Sequence, residues 1–81
     1  MYSVEVDRDA ESQLSALHPK RFEQVVLRIY ALQQNPRPPD GTILDADTCR
    51  VRVGPYSILY HVDDSAQRIR IILIKEQMAA E

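Results

Sequence analysis

Two alternating runs constrain the chain more than any other feature. In Cys49–Gly54, Val51 and Val53 fall on one side and Arg50 and Arg52 on the other. In Arg68–Ile74, Ile69, Ile71 and Leu73 fall on one side and Arg68 and Arg70 on the other. A period of two marks a strand with one buried face. Between the runs, Tyr56–Val62 offers Ile58, Tyr60 and Val62 as an inward set, leaving Ser57, Leu59 and His61 outward. Gly54-Pro55 reads as a tight turn, where Pro55 has no N–H to lose from a ladder. Asp63–Gln67 reads as a second turn. Turns this short force neighbouring strands to run antiparallel. The apolar side must be covered by the rest of the chain, and the arginine side need not be.

The N-terminal half supplies the cover. Tyr2, Val4 and Val6 alternate with Ser3 and Glu5 and predict a half-buried strand over residues 2–6. Asp7 is a good N-cap, with Asp9 and Glu11 in the first turn of a helix. Ala10, Leu14 and Leu17 give that helix one apolar stripe. His18 reads as a linker or capping residue, and Pro19 suits the first turn of a second helix. There Phe22, Val25, Val26, Ile29 and Leu32 form the clearest helical pattern in the chain. "NPRPPDG", residues 35–41, ends it as a stiff connector, with Arg37 a possible contact for a polyanion. "TILDAD", residues 42–47, reads as a short extended piece anchored by Ile43 and Leu44. Residues 75–81 are unpatterned and read as a frayed end or a last helical turn. The expected order is βααβββ: an α+β fold, in one domain over 1–81, with a four-stranded antiparallel sheet and an N-terminal two-helix hairpin on one face.

Composition narrows the chemistry. The 81 residues carry a net charge of −2, so attraction to nucleic acid must come from a local patch. Cys49 is the single cysteine, which excludes an internal disulfide and suits a reducing cytoplasm. It reads as a small buried filler. No apolar run approaches the roughly 20 residues of a membrane span. The opening residues lack the basic and apolar regions of a signal peptide. A cytoplasmic location away from the membrane is therefore expected. No metal-ligand spacing, Ser/His/Asp constellation or Gly-rich phosphate loop is present, so no metal and no other cofactor is expected.

The strand periodicity gathers Arg50, Arg52, Arg68, Arg70 and His61 on the face the helices leave open. Like charges on adjacent strands repel, so a purely structural face would mix signs. Guanidinium is well shaped for phosphate through paired N–H donation. One reading is a phosphate-binding face for RNA, formed by Arg50, Arg52, Arg68, Arg70 and, less strongly, Lys75. A second is a solvated face partly neutralised by Glu5 or by a partner. A third is a surface for an acidic protein. A nuclease would need a group to take a hydroxyl proton and groups to hold the developing phosphorane charge. His61 is the candidate for the first task, while Arg50, Arg52 and Arg70 are candidates for the second. A lone His in a strand is, however, more often a polar surface residue than a base.

The chain resembles the RelE/ParE superfamily of toxins from bacterial type II toxin–antitoxin systems. The resemblance rests on the opening strand and helical hairpin, on "LQQNPRPP" at residues 32–39, and above all on "RVRVGPYSILYHVDD" at residues 50–64. RelE-like membership implies ribosome-dependent mRNA cleavage (an mRNA interferase, inhibiting translation) with basic residues at the positions of Arg50 and Arg52. ParE-like membership implies inhibition of DNA gyrase. Either implies a cognate antitoxin as partner, with the ribosome and mRNA, or gyrase, as target. Ser57 stands where the family pattern carries arginine. Lys75, Glu76 and Gln77 stand where it carries a histidine–arginine run, followed in the family by a tyrosine missing here. A third outcome is therefore a weakened member retaining only antitoxin binding.

Overall fold

The computed structural model describes residues 1–76. The elements are β1 (Ser3–Val6), α1 (Arg8–Ser15), α2 (Pro19–Gln34), β2 (Thr42–Ile43), β3 (Thr48–Val53), β4 (Tyr56–Asp63) and β5 (Arg68–Glu76). Lys75 and Glu76 extend the last strand, and residues 77–81 lie outside the described residues.

The sheet has five strands in the order β1-β5-β4-β3-β2. The three C-terminal strands form the expected antiparallel meander. β1, however, runs parallel to β5, with Ser3 opposite Arg68 and Val6 opposite Ile71. The expectation of four antiparallel strands is corrected on both counts. The physical reason lies in residues 42–43, which pair antiparallel with β3 as a short edge strand. This adds one reversal of the chain before the meander. The last strand then points the same way as the first.

Helices and strands share one apolar cluster. Ala10 of α1 and Val25, Ile29 and Leu32 of α2 pack with Cys49, Val51, Ile58, Tyr60, Val62, Ile69, Ile71 and Ile74. Leu14 and Leu17 pack against its margin. Phe22 departs from the expected stripe and is exposed, one turn before the first buried position of α2. Ile43 and Leu44 are also exposed rather than anchored, because β2 is the sheet edge. Asp7 does occupy the N-cap of α1, but without a side-chain capping bond. His18 caps α2, its Nδ1 accepting from the Lys20 N–H at 3.2 Å.

The connector is fastened at three points. The Tyr60 hydroxyl donates to the Pro36 carbonyl at 2.5 Å. Arg37 donates from both terminal nitrogens to Asp64 at 3.0 Å. Arg28 pairs with Asp40 at 2.7 Å. The Tyr2 hydroxyl also donates to Asp64, at 2.6 Å, so one carboxylate joins the N-terminus, the connector and the β4–β5 turn. Arg37 is thus committed to an internal pair. No helix among the described residues is long and apolar enough to cross a membrane.

Candidate functional site: the uncovered sheet face

Strand register builds the site row by row, since residues opposite one another project to the same face. Arg52 lies opposite Ser57, and Ser57 opposite Lys75. The next row is Arg50, Leu59 and Leu73. The next is Thr48, His61, Arg70 and Glu5. Val51 and Val53 on β3 turn to the helix side, so all three rows lie on the uncovered face. Arg50, Arg52, Arg68 and Arg70 therefore share one face, as the alternation predicts.

A bulge corrects the details. Tyr60 lies opposite Ile71, but Leu59 lies opposite Leu73, so Ile72 is an extra residue in β5. One inserted residue flips every side chain beyond it. Leu73 is consequently on the uncovered face, not with Ile69 and Ile71, and Ile74 takes the core position. The same flip places Lys75 beside Ser57 and Arg52. Strict alternation from Arg68 and Arg70 would have pointed Lys75 into the helices. Gln13 of α1 completes the device, its Oε1 accepting from the Ile74 N–H at 2.7 Å. That N–H lies past the end of β1 pairing, where β5 would otherwise present a bare edge.

The charges divide the face in two. Arg68 pairs with Glu5 and Arg70 with Asp7, each at 3.5 Å. Arg50, Arg52 and Lys75 have no ion-pair partner among the described residues. The reading of a partly neutralised face thus holds for β1 and β5, and that of free cations holds for the far end of β3 and β5. Between Glu5, Asp45, Asp47, Asp63 and Arg70 lies an open hollow of about 830 Å³, with His61 in its wall. Its carboxylates outnumber its cations, which the alternation could not reveal because Asp45 and Asp47 come from a loop.

Asp45, Asp63 and Asp64 are held charged by their surroundings. The backbone N–H of Asp47 and then the Thr48 contact keep Asp45 below the usual carboxylate range. The Ser65 hydroxyl and the Ala66 N–H do the same for Asp63. Arg37, followed by Tyr2, lowers Asp64. Burial pushes the Cys49 thiol up, and Cys49 is only 2% exposed, which fits a packed filler. No group of three metal-ligating side chains occurs among the described residues. Gln77 lies beyond the described residues.

No protein-family model and no curated protein sequence matches the chain. Solved structures do. The isolated E. coli RelE toxin superposes with a TM-score of 0.89 at 18% identity, covering 100% of this chain and 89% of that one. The fold is that of the RelE/ParE superfamily. The RelBE2 toxin–antitoxin complex from Mycobacterium tuberculosis gives 0.82 at 28% identity, over 94% of this chain and 91% of that one. The chromosomal ParDE system from P. aeruginosa gives 0.77 at 19% identity, over 96% and 98%. The RelE/ParE fold thus spans the whole described chain, whose first strand runs parallel to β5 and not antiparallel as expected from the sequence.

Proposed function

We propose that the protein is the toxin of a type II toxin–antitoxin system and acts in the RelE manner, cutting mRNA in the ribosome. The observation that carries the reading is the group of Arg50, Arg52 and Lys75 on the uncovered face, cations without an ion-pair partner among the described residues. Guanidinium and ammonium groups in register across three strands can hold successive phosphate oxygens. In the cleavage step a 2′-hydroxyl attacks the adjacent phosphorus and the bond to the 5′-oxygen breaks. His61 accepts the hydroxyl proton and can return it to the departing 5′-oxygen. Arg50 and Arg52 stabilise the added charge on the non-bridging oxygens. His61 lies diagonally across from Arg50, within reach of one nucleotide. Arg68 and Arg70, tied to Glu5 and Asp7, contribute less to phosphate binding than the other three.

A cognate antitoxin is the expected partner, as in the RelBE2 complex. An acidic segment laid over Arg50, Arg52 and Lys75 would neutralise them and exclude RNA together. The similarity to a ParDE system favours a second reading, a gyrase inhibitor on the same fold. Inducible expression of wild type beside Arg50→Ala/Arg52→Ala separates them. Wild type is expected to stop growth and cut mRNA at codons, and the double variant to restore growth. DNA damage with intact translation would support the gyrase reading. Undisturbed growth with intact mRNA would leave only antitoxin binding.

A further inference from the structure

The uncovered face carries two opposite charge poles. Arg50, Arg52 and Lys75 stand at one end, while Asp45, Asp47 and Asp63 line the open hollow at the other. None of the six has an ion-pair partner among the described residues. Other charges beside the hollow are already committed: Glu5 to Arg68, Asp64 to Arg37 and Arg70 to Asp7. The backbone fixes the acidic pole. The Asp47 carbonyl accepts from the Val62 N–H at 2.8 Å, and Asp45 Oδ1 accepts from the Thr48 N–H at 2.8 Å. Between the poles lie Leu59, Leu73 and His61, all half-buried. Arg52 and Thr48 are four residues apart on β3, and Ser57 and Asp63 six on β4, so the poles are separated by roughly 13–20 Å.

Three cations and three carboxylates on one surface make that surface its own complement, which is what a two-fold pair requires. An axis running along the strands would set cations over cations. An axis running across them, between the Leu59 and His61 rows, sets Arg50 and Arg52 of each copy over Asp45 and Asp47 of the other. The match is lateral as well, because all four lie on the β3 side of the sheet. We propose that the uncovered face docks a second copy of this chain in this orientation, with Leu59, Leu73 and His61 enclosed between the poles. The patch is roughly 20 Å on a side, so the pair buries on the order of 1,000 Å² in total, the range of weak and transient contacts. It forms in concentrated protein at low salt and separates where surface charges are screened. Pairing does not depend on the function proposed above, but its consequence does: each copy then hides the other's cations from RNA, and concentrated free toxin is self-inhibited.

Sedimentation velocity of the full chain tests the pair, at about 200 µM and about 5 µM protein in about 25 mM and about 500 mM sodium chloride. Dimer is expected only in the concentrated, low-salt sample. Arg52→Glu and Asp47→Lys alter exposed side chains. Each should weaken the homodimer about tenfold or more, since symmetry turns one substitution into two like-charge contacts. An equimolar mixture of the two variants should pair again, because the substitutions then face each other and the second contact is native. That recovery also shows that both variants fold. A wild type that stays monomeric throughout overturns the proposal. So does a dimer unmoved by either variant, the mark of pairing through another surface, or a mixture that pairs no better than its parts. Failure of the ribosome reading looks different: the wild type pairs as expected but leaves cellular mRNA intact. Conversely, a wild type that cuts mRNA and never pairs sinks the pair alone.

Discussion

At the scale of single residues, Tyr60 and Asp64 show how few polar contacts hold the connector. Tyr60 is fully buried in the core, and only its hydroxyl reaches out, to the Pro36 carbonyl. Tyr60→Phe should cost about 1 kcal/mol in urea denaturation, the typical net worth of one such bond. Burial also pushes the Tyr60 phenol far above its usual range. The folded protein then keeps a proton that the unfolded chain releases above about pH 10. Stability is present below that pH and lost as pH rises, and Tyr60→Phe should flatten this alkaline limb. The acid side has the opposite sign. Asp40, Asp45, Asp63 and Asp64 are all lowered in the fold. Their contribution is intact above the unfolded carboxylate value near 3.9 and is lost as pH falls through the lower folded values. Urea midpoints should therefore hold level from pH 7 to about 5 and drop below about 4. Asp64→Asn should make that drop shallower while lowering the midpoint at pH 7.

At the scale of elements, the legible and illegible parts of the sequence separate cleanly. The meander, both helices and the shared face of Arg50, Arg52, Arg68 and Arg70 could be read from periods of two and 3.6. The bulge could not, because Ile71, Ile72, Leu73 and Ile74 are all apolar and carry no phase information. Its effect on Leu73 and Lys75 needed the actual register. The parallel first strand was missed because β2 is only two residues long, with both side chains exposed. Such a strand leaves no periodic trace. The pairing of Arg68 with Glu5 was open to sequence reading as a possibility. That of Arg70 with Asp7 was not, since Asp7 looked committed to capping α1. Gln13 now has a role at the bulge, and Gln13→Ala should cost about 1 kcal/mol by leaving the Ile74 N–H unpaired. The readout is faster hydrogen exchange at the Ile74 amide, with α1 helicity unchanged. Gly54 has φ +56°, and an added Cβ would stand 2.8 Å from the Arg21 guanidinium. Gly54→Ala should therefore destabilise the β3–β4 turn by about 1–2 kcal/mol, mostly through the left-handed backbone, because Arg21 can move aside.

At the scale of the whole molecule, net charge is a poor guide to what this protein attracts. A chain of net charge −2 gathers on one patch three cations that have no ion-pair partner among the described residues, and places carboxylates in the hollow beside them. An RNA strand crossing the face would be drawn to one end and repelled from the other. This makes a quantitative expectation. With three phosphate contacts, the logarithm of RNA affinity should fall with the logarithm of salt at a slope of roughly −2, against roughly −3.5 if Arg68 and Arg70 also engaged. Fluorescence anisotropy of a labelled single strand over a salt series distinguishes the two. A slope near the larger value would mean that Glu5 and Asp7 surrender their partners on binding.

The neighbour relation of the first and last strands also bears on biogenesis. Residues 3–6 have no strand to lie against until 68–71 have been made, and the cation row is incomplete until residue 75 is added. A growing chain therefore completes the proposed phosphate-binding row only once its last strand, β5, has been added.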